Sequence, residues 1–149
     1  MILFDANVLI HAHAVDSPFH AIARHVRDQA AQGLMEACLS PQVLCEFFSV
    51  ITDERVARPA LPAAQAKREI RYYWHESRFT RILPTEHTIH RLVQLLERRH
   101  IRGSDIFDVF LVATMLENGV RTIYTQNVRD FEVYSELHVI NPFASTSPH

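Results

Sequence analysis

The sequence predicts an α/β fold, a single domain with a mainly parallel central sheet and helices on both faces. Two observations carry this. Short apolar or β-branched runs alternate with amphipathic helical segments along the chain, the pattern of strand–helix–strand units. The first run, Ile2-Leu3-Phe4, stops at Asp5, which puts a carboxylate at the C-terminal edge of a buried strand, where open α/β sheets hold their ligands. Asp is also a good helix cap, so this stretch alone leaves both roles open.

After the opening strand and a short helical turn, Ser17-Pro18 gives an N-cap followed by Pro at the first helical position. Ile22, Val26 and Ala30 then repeat at helical spacing up to Gly33. Ala37-Cys38-Leu39 reads as a second strand, and Ser40-Pro41 repeats the start signal. Leu44, Phe47, Phe48 and Ile51 fall on one apolar face of the next helix, with Glu46 beside that face. Arg58 to Pro62 is a connector, because each proline disfavours helix in the residue before it. A third helix runs through Ala66, Ile70, Tyr73 and Trp74, and Phe79 to Leu83 alternates as a strand. Ile89, Leu92, Val93 and Leu96 mark another amphipathic helix, ended by Arg98, Arg99 and His100, which suit the negative end of its dipole. Asp105 to Glu117 is the most apolar helix and is expected in the middle of the domain, closed by Asn118-Gly119. Val120 to Tyr124 is a β-branched strand, Thr125 to Phe131 a polar loop or short helix, and His138-Val139-Ile140 a last strand.

With 149 residues and no composition break, the chain is expected to form one domain over residues 1–143, followed by a flexible tail over 144–149. Its 48% hydrophobic and 21% charged residues are ordinary globular usage, and a net charge of -2 excludes any argument from a basic field. Lys67 is the only lysine among 15 basic residues; arginine suits bidentate phosphate contacts, and a codon bias gives the same count. No signal-peptide pattern follows Met1 and no apolar run approaches the roughly 20 residues needed to span a bilayer, so a cytoplasmic protein is expected. In a reducing compartment Cys38 and Cys45 read as small core residues.

The acids suggest the chemistry. A parallel sheet brings the C-terminal ends of its strands to one edge. Asp5, Glu46, Asp108 and Asp130 all lie just beyond a strand end or in a following helix. Four carboxylates gathered there do not all stay ionised unless a cation neutralises them. Oxygen ligands without a Cys/His set favour Mg²⁺ or Mn²⁺ over zinc. Such an ion activates water and stabilises a phosphoryl transition state, which fits phosphodiester hydrolysis. Asp108 is the hardest to explain structurally, since Phe107, Val109 and Phe110 flank it on an apolar helix and an unpartnered buried carboxylate costs several kcal/mol.

Four separated motifs also carry a family resemblance. Phe4-Asp5-Ala6-Asn7-Val8-Leu9-Ile10 comes first, followed by Pro41-x-Val43-x-x-Glu46-Phe47. Ile106-Phe107-Asp108-x-x-Leu111-Val112-Ala113-Thr114 precedes Glu117-Asn118-Gly119, and Thr125-x-Asn127-x-x-Asp130-Phe131 comes last. In this order and spacing the chain resembles PIN-domain proteins of the VapC toxin type over nearly its whole length. The resemblance implies a PIN-like fold and a Mg²⁺- or Mn²⁺-dependent endoribonuclease that acts as the toxin of a toxin–antitoxin pair. It also implies a homodimer whose groove is covered by a cognate antitoxin. Asp5, Glu46 and Asp108 would be the metal-binding acids. Many relatives have Asp where this chain has Asn127, which leaves the fourth acidic place between Asn127 and Asp130. Asp130 matches the acid preceding the terminal Phe and is read as the fourth, with Asn7, Thr125 and Asn127 as orienting groups. Asp105 is read as a cap.

His11-x-His13 and the pair His87 and His90 have metal-ligand chemistry, but packing or solvated roles are commoner for histidine. No G-x-S-x-G elbow occurs and neither cysteine has an activating partner. A haloacid-dehalogenase phosphatase needs a second Asp at position 7, which is Asn. Arg55, Arg58, Arg68, Arg71, Arg78 and Arg81 accompany Tyr72, Tyr73 and Trp74 around the third helix, a composition that suits RNA by phosphate contact and base stacking, or equally a solvated helix face over core aromatics. Two alternatives to the toxin stay open: a PIN nuclease of RNA maturation or DNA processing without an antitoxin, and a non-catalytic RNA-binding module.

Overall fold

A computed structural model describes residues 1–144, so the expected tail lies, from residue 145 on, outside the described residues. Five short strands form one sheet: β1 Ile2–Phe4, β2 Ala37–Leu39, β3 Thr80–Arg81, β4 Thr122–Tyr124 and β5 His138–Ile140. Their order is β3-β2-β1-β4-β5 and every neighbouring pair is parallel. Leu3 lies opposite Cys38 on one side and Ile123 on the other, and all three are fully buried. Each such apolar side chain removed from water contributes about 1.5–3 kcal/mol, which is why the apolar runs of β1, β2 and β4 occupy the centre.

Seven α-helices connect and cover the strands: α1 Ala6–His13, α2 His20–Ala31, α3 Pro41–Ile51, α4 Ala63–Arg71, α5 Thr88–Arg98, α6 Ile106–Glu117 and α7 Val128–Phe131. Helix α1 packs against both α2 and α3, α3 against α4, and α5 along α6. From β1 the chain winds outward to β2 and β3, then returns to place β4 on the other side of β1. The direction of winding therefore reverses between β1 and β4. At such a reversal the two connections diverge, and it is beyond the strand ends there that open α/β sheets hold their ligands.

Several local expectations are corrected. The short turn after β1 is a helix of 8 residues. Ser17-Pro18 does not start α2, which begins at His20 without a side-chain cap, because the Ser17 hydroxyl accepts from the Phe19 N–H and bonds His11. Ser40 does cap α3, accepting from the Val43 N–H at 3.3 Å. The third helix ends in a π-helical turn over Tyr72–Glu76, and Tyr73, seven residues after the buried Ala66 on the same face, enters the core, its hydroxyl accepting from Arg27 at 3.2 Å. Asp105 sits in a 3₁₀ turn, Gly103–Asp105, and makes no side-chain cap bond to α6. Helix α6 is core along Val109 and Leu111 to Met115, but its first turn emerges: Phe107 is 62% exposed and Asp108 half-buried. Cys38 is buried as expected, whereas Cys45 is exposed.

Candidate functional site

Asp5 ends β1 and starts α1, so the strand-end and cap roles belong to one residue. Its Oδ1 accepts from the Ala6 N–H at 2.7 Å, and its Oδ2 accepts from Asn7 Nδ2 at 2.8 Å and from the Thr125 hydroxyl at 2.7 Å. Thr125 stands at the end of β4, beside β1 in the sheet, and its buried hydroxyl accepts in turn from Asn7 Nδ2 at 3.1 Å and from the Asn127 N–H at 3.0 Å. Asn7 closes the ring by accepting from the Gln126 N–H at 3.1 Å. The residues expected to orient the acids are thus tied to Asp5 and to one another across 118 positions of sequence. Asn127 contributes its backbone N–H to this ring.

Asp5 is only 5% exposed, and burial pushes its carboxyl above the ordinary carboxylate value; the hydrogen bonds from Thr125, Ala6 and Asn7 act the other way, and the charge of Asp130 adds to the rise. Glu46, on α3, has solvent access, yet the protein around its carboxyl limits hydration and raises it to about 7, with the charges of Asp5 and Asp108 adding. Asp108, in the first turn of α6, is pushed up to about 6 by partial burial first, then by Asp5, Asp130 and Asp105. Asp5 therefore acts on both Glu46 and Asp108, Asp130 on Asp5 and Asp108, and Asp105 on Asp108 from the 3₁₀ turn. Among the described residues no three His, Cys, Asp or Glu side chains are drawn into a ready-made cage. A loose set of carboxylates with room between them fits a small hard cation that keeps several of its waters, as Mg²⁺ does, better than an ion enclosed wholly by protein.

The histidines do not converge. His11 bonds Ser17 Oγ at 2.8 Å and Gln126 Oε1 at 2.9 Å through its two ring nitrogens, while His13 packs edge-on against Phe47. His87 and His90 are exposed on and beside α5. The expected basic and aromatic surface is also thinner than its composition. Arg55 is held by Asp53, Arg58 bonds the Glu54 carbonyl, Arg81 lies over Trp74 with 5.9 Å to the ring centroid, and Tyr73 is in the core. Lys67, Arg68, Arg71, Trp74 and His75 remain together around one depression.

Two supports escaped the sequence reading. Gln42, one turn before Glu46, donates from Nε2 to the Phe107 carbonyl at 2.7 Å and so ties α3 to the turn that carries Asp108; its Oε1 is buried without a partner. Its position four residues before Glu46, on the same helix face, is the signal that was available. The second is Gln126, whose bond to His11 joins residues 115 apart and leaves no local trace. Beside α3 lies an apolar groove of about 800 Å³, walled by Leu44, Cys45 and Phe48 of α3 and Ala63, Ile70 and Trp74 of the α4 segment.

The PIN domain family model matches residues 2–137. A VapC ribonuclease of Mycobacterium bovis is 30% identical over 119 residues, 80% of this chain and 81% of the relative. Among solved structures, Mycobacterium tuberculosis VapC20, described as a sarcin-ricin loop cleaving toxin, superposes with a TM-score of 0.66 at 14% identity, covering 92% of this chain and 98% of that one. VapBC2 of Rickettsia felis, solved with a promoter DNA fragment, gives 0.65 at 16% identity over 95% and 98%. These low identities speak for the fold, and the family model and the curated relative for the lineage: the chain belongs to the PIN-domain family, in its VapC-type branch.

Proposed function

We propose that this protein is a divalent-metal-dependent endoribonuclease, the toxin of a toxin–antitoxin pair, which hydrolyses RNA phosphodiester bonds. The observation that carries the reading is the Asp5 carboxyl, buried at the end of β1 and held by Thr125, Asn7 and the Ala6 N–H, whose charge acts on Glu46 and Asp108 and which feels that of Asp130. Burial first and like charge second raise Asp5, Glu46 and Asp108, and a cation relieves both. Asp5, Glu46, Asp108 and Asp130 would hold Mg²⁺, or Mn²⁺ in its place. The ion would supply Lewis acidity and a water of lowered pKa. The chain's own part is to aim the carboxylates. Thr125 and Asn7 fix the Asp5 oxygens, and Gln42 fixes the start of α6. Asp130, in α7 after β4, adds its charge to those felt by Asp5 and Asp108.

The antitoxin is assigned to the apolar groove beside α3. A cavity lined by Leu44, Phe48, Ile70 and Trp74 suits an apolar segment of a partner, and it lies on the helix that carries Glu46. The likeness to a VapBC complex supports a partner of this kind. A homodimer accords with the exposed Ile89 and Val93 on α5. Among the described residues no helix is long and apolar enough to cross a membrane, and an RNA-cutting toxin would work in the cytoplasm.

The test is cleavage of a panel of single-stranded and structured RNAs by purified protein, with Mg²⁺ or Mn²⁺ and then with EDTA. Wild type is expected to cut only with metal, and Asp5→Asn and Asp108→Asn to lose the cut by at least about a hundredfold, as for groups acting in the transition state. Metal-independent cleavage, or full activity in both variants, would overturn the reading. Growth arrest on expression, relieved by a neighbouring small protein, separates the toxin from a maturation nuclease.

A further inference from the structure

Beside the acids, on the far side of Asp130, is a second and more polar cavity of about 390 Å³, lined by Gln126, Asn127, Val128, Arg129, Asp130 and Asn141. It sits beyond the ends of β4 and β5, which are linked there by the Thr125 N–H to the Ile140 carbonyl at 3.0 Å. Its size falls at the lower end of small-molecule sites, about 300–1,000 Å³. Its lining holds three side-chain amides, and the oxygens of two of them, Gln126 and Asn141, are already taken.

The Asn141 Oδ1 accepts from the Phe143 N–H at 2.9 Å. The Gln126 Oε1 faces His11 Nε2 at 2.9 Å. An amide oxygen only accepts, so Nε2 carries the hydrogen that goes to Gln126, and Nδ1 of the neutral ring accepts from the Ser17 hydroxyl, whose oxygen accepts in turn from the Phe19 N–H. The His11 ring is clamped edge-on between Phe19 and Phe143, each centroid 5.1 Å away. One aromatic cluster thus fixes Gln126 through a hydrogen bond and Asn141 through the backbone of Phe143. Both amides are left with their NH₂ groups to spend. Arg129 makes no ion pair among the described residues. Two fixed amide donors and a free guanidinium therefore border the cavity, one residue away from the acids.

We propose that this cavity is a base-reading subsite for the nucleotide next to the scissile phosphate, selecting a base with a keto edge, uracil or guanine, over cytosine or adenine. The proposal rests on the ribonuclease reading above. Uracil presents O4, and guanine O6 and N7, as acceptors; cytosine and adenine present an amino group at the equivalent place and meet donor with donor. Single-stranded RNA exposes these edges. Arg129 is placed for the flanking phosphate.

The experiment is fluorescence anisotropy of the wild-type chain, with Ca²⁺ in the buffer, against 5′-labelled RNA octamers compared in pairs: U8 with C8, and I8, whose hypoxanthine keeps the guanine O6 and N7, with A8. Within a pair ring size is constant and the edge changes. At least one pair is expected to differ by about five- to tenfold in favour of the keto base, the worth of a good base-edge contact. Asn141→Asp keeps the oxygen that caps Phe143 and removes the donor, as Gln126→Glu does at His11; each should bring the ratio towards one. His11→Phe keeps the aromatic packing but frees Gln126, and should lower the ratio about threefold. Equal affinities within both pairs, or a ratio unmoved by Asn141→Asp and Gln126→Glu, would overturn the subsite. Discrimination without cleavage of any RNA under Mg²⁺ would keep the subsite and remove the nuclease reading. Cleavage without discrimination would do the reverse.

Discussion

Replacing Asp108 by Asn should stabilise the metal-free protein at neutral pH, although it removes a residue assigned to the metal. The Asp108 carboxyl has an ordinary value of 3.8 and is raised to about 6 in the fold. The native state therefore holds a proton that the unfolded chain has released. A carboxylate raised on folding costs nothing below its unfolded pKa, and its cost grows with pH until the folded pKa is passed. For Asp108 the cost builds between about pH 4 and pH 6 and is complete at pH 7.5. About two pKa units correspond to roughly 3 kcal/mol. Half-exposure and solvent screening reduce that to about 1–1.5 kcal/mol, and the lost helix-dipole interaction of a first-turn acid takes back about 0.5 kcal/mol. A net gain of about 0.5–1 kcal/mol in a domain of this size raises Tm by about 1–4 °C. Thermal unfolding in EDTA at pH 7.5 and pH 4 is the assay, with a gain expected at the higher pH and none at the lower. A Tm that falls on substitution at pH 7.5, or wild-type stability that does not decline from pH 4 to pH 7.5, would refute the electrostatic account of the site.

Other outcomes follow from the same geometry. Mn²⁺ should raise the wild-type Tm, and its affinity measured by calorimetry should climb through about pH 6–7 as Asp108 and Glu46 give up their protons; an affinity flat in pH would separate these acids from the ion. Thr125→Val strips a buried donor from Asp5 and an acceptor from the Asn127 N–H, and should cost about 1–3 kcal/mol in denaturant unfolding. Arg68→Glu with Arg71→Glu should weaken RNA binding and flatten its salt dependence if the depression they line carries phosphate; an unchanged salt slope would exclude that surface. Phe48→Glu in the apolar groove should abolish capture of the antitoxin while leaving metal-dependent cleavage in place.

The sheet was legible because strand signals depend on local patterning. Ile2-Leu3-Phe4, Ala37-Cys38-Leu39 and His138-Val139-Ile140 stand as strands at the positions read from their composition. The longer runs were overcalled, since only Thr80–Arg81 and Thr122–Tyr124 pair, the sheet being too short to use the rest. Asp5, Glu46, Asp108 and Asp130 are named by strand ends and motif order; the charge of Asp5 acts on Glu46 and Asp108 and that of Asp130 on Asp5 and Asp108, while among the described residues no three such groups gather closely enough to hold an ion. What failed was distance. Tyr73 lies in the core on the face it shares with Ala66 and Ile70, as α-helical spacing gives it. Cys45 lies off the stripe of Leu44, Phe47 and Ile51, so its exposure could have been read from the same periodicity that located α3. The His11–Gln126 and Gln42–Phe107 contacts join segments that only folding brings together.

The groove beside α3 also contains the chain's only tryptophan, Trp74, and one wall bears the exposed Cys45 thiol. The other thiol, Cys38, is buried and pushed up to about 12, so it stays unreactive near neutral pH. Nature has thereby left two reporters on one surface and silenced the background of both. Emission from Trp74 should shift to the blue when an apolar segment displaces water from the groove, and a maleimide dye should label a single site whose reaction slows on occupancy. The arrival and departure of a partner can be timed optically on the unaltered polypeptide, before any RNA is cut.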